Sequence, residues 1–180
     1  MKMNQEIFNL DGKVAIITGA ARGLGKSMAV GLARYGAHVV ITDVIDTKYT
    51  LMEIKEYDDQ SFDLQVDVSN KSEVEQMIKK TVDQFGSIDI FVNNAGILKS
   101  ANAEDFSEKD WKKVIDVNLN GVFLCAQAAG KQMIEQQSGK IINVSSIAGL
   151  SGYASSAAYS ASKAGVISIP KTLAAEWGKH

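Results

Sequence analysis

The residues that most constrain this chain lie between Lys13 and Gly36. A short β-branched apolar run, KVAIIT, ends at Gly19, and a helical pattern begins after Gly25. Between them stands Gly19-Ala-Ala-Arg22-Gly23-Leu24-Gly25, a G-x-x-x-G-x-G spacing. Beyond it Met28, Leu32 and Tyr35 recur at helical intervals, with small Ala29, Gly31 and Ala33 between them and Gly36 as a stop. Strand, glycine turn and helix in that order form a phosphate cradle. The glycines allow a tight turn, close backbone approach and close helix–strand packing, and the helix start offers free amides and a positive dipole end.

The rest of the chain repeats the alternation. Strand-like runs at His38–Thr42, Phe62–Val66, Ile88–Val92 and Ile141–Ser145 are separated by helical stretches. Asn70 caps a helix over about 71–85, and Ser107-Glu-Lys-Asp110 reads as a capping box. A long helix is expected from about Asn118 to Glu135, and a last one carries Tyr159 and Lys163 toward Trp177. Residues 44–60 leave room for only a short helix. Buried-looking strands joined by crossovers argue for a parallel sheet covered on both faces, in one α/β domain spanning 1–180.

Composition narrows the partners. Net charge is −2 and no basic stretch exceeds two lysines, which argues against nucleic acid. No apolar run is long enough to span a membrane, and the N-terminal MKMNQEIFNLDGK lacks the apolar core of a signal peptide. Cys125 is the only cysteine, so a cytoplasmic, reducing setting is expected. Two histidines and no clustered ligands argue against a metal.

Asp43 closes the second strand, 24 residues after Gly19. A carboxylate there accepts both ribose hydroxyls of an adenosine and repels a 2′-phosphate. Arg22 pulls the other way, since a guanidinium pairs with phosphate. Direct contact favours Asp43, so NAD is expected over NADP. Near the other end, Tyr159 and Lys163 stand four apart, on one face of a helix. An ammonium about 4 Å from a phenol favours the phenolate by roughly 4 kcal/mol at a surface-like dielectric, enough for proton exchange near neutrality.

Thr18-Gly19-x-x-x-Gly23-x-Gly25, Asp67-Val68, Asn93-Asn94-Ala95-Gly96, Asn118, Ser146 and Tyr159-x-x-x-Lys163 occur together in one order and spacing. In this the chain resembles the short-chain dehydrogenase/reductase family, from about Leu10 onward. The resemblance implies a Rossmann-type doubly wound sheet and reversible carbonyl/alcohol chemistry on a nicotinamide cofactor. It implies that Tyr159 exchanges the proton, that Lys163 tunes the phenol and holds the nicotinamide ribose, and that Ser146 orients the substrate oxygen. Asn118 would hold a water behind Lys163. Ser146, not Ser145, fits the family's serine because it stands thirteen residues before Tyr159. Asp67 and Val68 match the adenine-contacting pair, Asn93 would brace the sheet, and Asn94, Ala95 and Gly96 would let the cofactor pass close to backbone.

Local wording such as EDFSEKDW and AAEWGKH looks like the sugar-acid branch, near the 2-deoxy-gluconate and gluconate dehydrogenases. The expected substrate is therefore a small polar carbonyl or alcohol. Lys99 is weighed as a contact for a substrate carboxylate, against a plain solvated lysine. One alternative is a 3-oxoacyl-carrier-protein reductase using NADPH. The other is a catalytically incomplete fragment that binds nucleotide or a partner only, because family members continue past the position of His180 with further strands and a lid. A homo-oligomer through the helices of about 118–135 and 159–177 is expected. Pro170 falls inside the last helix, where it removes an amide bond and crowds the Val166 carbonyl, so a kink is expected.

Overall fold

The computed structural model describes residues 8–179, so most of the N-terminal stretch read for a signal peptide, residues 1–7, lies outside the described residues, as does His180. Five parallel strands among them run β1 (Val14–Thr18), β2 (His38–Asp43), β3 (Phe62–Gln65), β4 (Ile90–Asn93) and β5 (Lys140–Asn143), in the spatial order β3-β2-β1-β4-β5. Six α-helices connect and cover them: α1 (Gly23–Arg34), α2 (Lys48–Ile54), α3 (Lys71–Phe85), α4 (Glu108–Ile115), α5 (Gly121–Glu135) and α6 (Ala157–Trp177).

Side-chain alternation along the strands assigns each residue to a face. Ile16, Val40 and Phe91 meet Val74 and Met77 of α3 and Cys125 and Ala129 of α5. Ala15, Ile17, Val39, Ile41 and Val92 meet Ala29, Val30 and Ala33 of α1 and Ile54 of α2. β1 is buried along its whole length, as expected for a central strand clothed on both sides. At the sheet's edge β5 is barer, with Ile142 half exposed.

The order reverses between β1 and β4, whose register pairs Ala15 with Ile90 and Ile17 with Val92. A crevice opens outside the carboxyl ends of the strands at such a switch point, where β1 hands over to the glycine loop and β4 to Asn94-Ala-Gly96.

Three local predictions resolve in detail. The Asn70 side chain accepts the Ser72 amide at the start of α3. Ser107 accepts the Asp110 amide at 3.0 Å and returns its hydroxyl to the Asp110 carboxylate at 2.8 Å, closing the cap of α4. Residues 44–60 do hold one short helix, α2.

The helix expected from Asn118 is corrected. α4 and α5 are continuous through a π turn, Asp116–Asn120, with regular α-helix resuming at Gly121. A π turn widens the helix locally and re-aims the side chains on it. Gly121 allows the turn to approach β3's exit closely, since a Cβ there would sit 2.8 Å from the Val68 side chain. α6 runs through Pro170 to Trp177 without interruption. The lost amide does not end it.

Candidate active site

The glycine loop is tied down by the β4 exit rather than by its own residues. The Thr18 hydroxyl accepts the amides of Asn94 and Ala95 at 3.1 and 3.0 Å. In return the Asn94 side-chain amide donates to the carbonyls of Thr18 and Gly19 at 2.9 and 3.0 Å. Four hydrogen bonds thus lock the two loops together. Gly19 sits at φ +66, and a Cβ there would stand 2.7 Å from the Ala95 Cα; a Cβ on Gly25 would overlap the Gly19 carbonyl oxygen. Those two positions admit only glycine. Gly23 is also left-handed, at φ +60, but faces open space.

The start of α1 has no side-chain cap and no acidic residue in its first turn, so its amides and positive end stay available to an anion. Asp43 is fixed at the end of β2. One carboxylate oxygen accepts the Ala21 amide at 3.0 Å and the other the Val44 amide at 2.8 Å. Thr50 donates to the Ala21 carbonyl at 3.0 Å, so α2 holds the loop from outside.

A cleft of about 420 Å³ follows from these contacts. Gly19, Arg22, Leu24, Gly25, Asp43, Asp67, Val68, Asn94, Ala95 and Gly96 all line it, with Val66, Ile97, Val117 and Lys113 completing its wall. Every expected cofactor residue except Gly23, Tyr159 and Lys163 is in that lining. Val66, Val68, Ile97 and Val117 give one end an apolar slot beside Asp67. The Asp67 carboxylate accepts the Ser69 amide and hydroxyl at 2.9 and 2.6 Å. Burial opposes its ionisation, but those bonds and the Lys113 ammonium at 3.5 Å outweigh it and leave the carboxyl below its ordinary range.

Beyond Gly96 lies a second cluster. Lys163 is 4% exposed, and its ammonium donates to the Val144 carbonyl at 2.8 Å. Burial holds it below the usual lysine value. The Tyr159 ring centroid is 5.8 Å from that ammonium. A Cβ on Gly96 would lie 3.4 Å from the Asn118 side-chain oxygen and 3.7 Å from Lys163 Nζ, so Gly96 joins the cleft to the cluster. Ser146 precedes a 3₁₀ turn, Ile147–Gly149, and accepts the Ala148 amide at 3.1 Å.

Asn118, placed by the π turn, accepts the Ile97 amide at 2.8 Å and donates to the Ile97 carbonyl at 2.9 Å and to Ser162 at 3.2 Å. Its first duty is therefore to brace the loop after β4. Asn93 braces the sheet as expected, donating to Asn143 at 2.8 Å. Lys99 is engaged with Asp110 at 3.8 Å. Cys125 is buried with its thiol pushed up to about 12, an inert core residue. The sequence reading did not single out roles for Thr50, Ser162 or Lys113; their only signal is contact across the fold.

A family model described as short chain dehydrogenase matches residues 13–180. The chain belongs to the short-chain dehydrogenase family. It is 41% identical over 174 residues to the 2-dehydro-3-deoxy-D-gluconate 5-dehydrogenase of Dickeya dadantii, covering 96% of this chain and 69% of that one. It is 44% identical over 170 residues to a 3-oxoacyl-acyl-carrier-protein reductase of Synechocystis, covering 93% of this chain and 69% of the relative. The solved structure of levodione reductase superposes with a TM-score of 0.89 at 35% identity, over 94% of this chain and 68% of that one. The family consists of oxidoreductases acting on CH–OH groups with a nicotinamide dinucleotide, and the parallel sheet described above is its Rossmann-type fold. No helix among the described residues is long and apolar enough to cross a membrane.

Proposed function

We propose that this chain binds NAD(H) in the cleft and interconverts a small polar carbonyl and its alcohol, a sugar or sugar acid, at the Tyr159–Lys163 cluster. The observation that carries the reading is the continuity through Gly96: the glycine-lined cleft ends where the buried Lys163 ammonium begins. When bound, the nicotinamide supplies the hydride donor or acceptor. The chain's own residues do the rest. Gly19, Gly25 and the first amides of α1 hold the phosphates. Asp43 takes the adenosine ribose, with Arg22 at the rim, and Asp67 and Val68 take the base. Tyr159 gives a proton to the carbonyl oxygen or removes one from the alcohol. Lys163 stands beside the phenol with its ammonium 5.8 Å from the ring centre, and Ser146 orients the substrate oxygen. Asn118 steadies the Ile97 segment behind them.

The preference for NAD rests on Asp43, whose carboxylate is held in place by the Ala21 and Val44 amides before any ligand arrives. A 2′-phosphate at that site meets fixed like charge. The sugar-acid substrate is supported by the Dickeya relative and by local wording shared with that branch.

The second reading, a 3-oxoacyl thioester reductase, is favoured by the 44% identity to the Synechocystis relative. Fluorescence titration with NADH and NADPH, followed by turnover on keto-sugar acids and a 3-oxoacyl thioester, tests both. Tighter NADPH binding, or a preference unchanged in Asp43→Ala, overturns the cofactor assignment. Faster turnover of the thioester replaces the first substrate with the second. Equal turnover by wild type and Tyr159→Phe removes the catalytic role, and binding without turnover in either leaves a nucleotide-binding module.

A further inference from the structure

Two serines stand side by side just past β5, and they serve different partners. Ser146 turns its hydroxyl toward the amide of Ala148. Ser145 donates instead to the main-chain carbonyl of Lys163, at 2.8 Å. The preceding carbonyl, that of Val144, accepts from the Lys163 ammonium, also at 2.8 Å. Consecutive residues therefore grip Lys163 at both ends, its main chain through Ser145 and its side-chain tip through Val144.

A third contact comes from the 3₁₀ turn. A Cβ on Gly149 would lie 2.7 Å from the carbonyl carbon and oxygen of Lys163, so that turn rests directly against the same part of α6. In a helix the Lys163 carbonyl already accepts the amide four residues on, and the Ser145 bond uses its second lone pair. The bond is not required to satisfy the carbonyl. Its consequence is the placement of the helix on the strand.

We infer that Ser145 is a positioning residue for Lys163, fixing the second turn of α6 against the end of β5 so that the ammonium reaches the Val144 carbonyl. The inference rests on the role proposed above for Lys163. A lysine side chain has four rotatable bonds, and an ammonium taken from water needs acceptors that hold still. The groups around Nζ are the Val144 carbonyl from β5's exit, Gly96 from β4's exit, Asn118 from the π turn and Tyr159 from α6. Of these only Tyr159 ionises.

The test follows the titration of the Lys163 ε-amine in the free protein, by NMR on isotope-labelled lysine, with Lys163→Arg identifying the resonance. Burial holds this amine below the ordinary lysine value. Ser145→Ala is expected to release the side chain toward water, so that the amine titrates later, closer to the surface lysines. Ser145→Thr keeps the hydroxyl and restores the early titration. Turnover falls roughly three- to tenfold in Ser145→Ala, in kcat and not in the KM for the dinucleotide, as the loss of one hydrogen bond predicts.

Should the alanine variant not fold, Ser145→Cys, a similar volume with a weaker donor, is expected to shift the resonance in the same direction. A Ser145→Ala or Ser145→Cys protein whose Lys163 titrates as in wild type overturns the inference, whatever its stability. So does an equal shift in Ser145→Thr. Failure of the underlying reading shows separately: full turnover in Lys163→Arg removes the catalytic part of Lys163 and leaves the NMR result intact.

Discussion

The two halves of the candidate site are held by opposite means. The proposed dinucleotide cradle is close backbone packing at Gly19 and Gly25, stitched by the Thr18 and Asn94 side chains, at the centre of the sheet, where β1 is wholly buried. The Tyr159–Lys163 half is side chain on helix at the sheet's edge, beside a strand with half-exposed Ile142 and a turn with exposed Ile147 and Leu150. In the first half the same contacts make the fold and the site. In the second they are separable, because the role proposed for Lys163 gives its buried charge a reason unrelated to folding. Stability and function should therefore fall together in the cradle and part company around Lys163.

Gly25→Ala is the harshest trial of that contrast. Its methyl group collides with the Gly19 carbonyl, and overpacking of this kind costs about 3 kcal/mol, roughly a hundredfold in dinucleotide affinity by fluorescence titration. Gly23→Ala is the control: it is left-handed at φ +60 but faces open space, and should cost only about 1 kcal/mol. Equal losses in the two variants would break the claim that close approach sets the cradle.

Thr18→Val comes next. It removes the acceptor of the Asn94 and Ala95 amides at constant shape, and should lower unfolding free energy in urea by about 2–3 kcal/mol, with affinity falling alongside.

Lys163→Met sharpens the other side. Burial sets the folded lysine below its unfolded value, so folding is penalised while the amine must stay charged. That penalty is present below the folded pKa and is relieved as pH rises through it. The variant should thus be more stable than wild type at neutral pH, by about 1 kcal/mol, while losing turnover. The gap should close at alkaline pH. A less stable Lys163→Met would sink the contrast.

The smallest effect concerns Asp67, whose folded carboxyl lies below its ordinary range. Its stabilisation is present above the unfolded value and lost as pH falls through the folded one. Its side chain is 35% exposed, so solvent screening keeps the effect under about 1 kcal/mol. Asp67→Asn should show a flatter acid limb of thermal midpoint against pH than wild type.

What was legible in the sequence follows the same division. Strands of β-branched residues, the glycine spacing and the caps at Asn70 and Ser107 are local patterns, and each appears where the spacing put it. The lining of the cleft was legible because its residues sit at strand ends, which the alternation locates. The π turn was not. Asp116–Asn120 carries no glycine or proline, and one residue too many per turn shows only as a phase slip between two amphipathic stretches that read as separate helices. The grip on Lys163 was hidden too, since Ser145 and Gly149 become its neighbours only when α6 folds back on β5. Lys99 was weighed for substrate, yet its partner Asp110 lies one capped turn away.

The stitch between Thr18 and Asn94 joins residues 76 positions apart. A growing chain emerges from the ribosome in order, so the glycine loop waits without these bonds while three helices and three strands are made before Asn94 arrives. Late closure of distant pairings slows folding. The proposed nucleotide cleft thus cannot close until β4 is made, and its ligand would reward the chain only after that point.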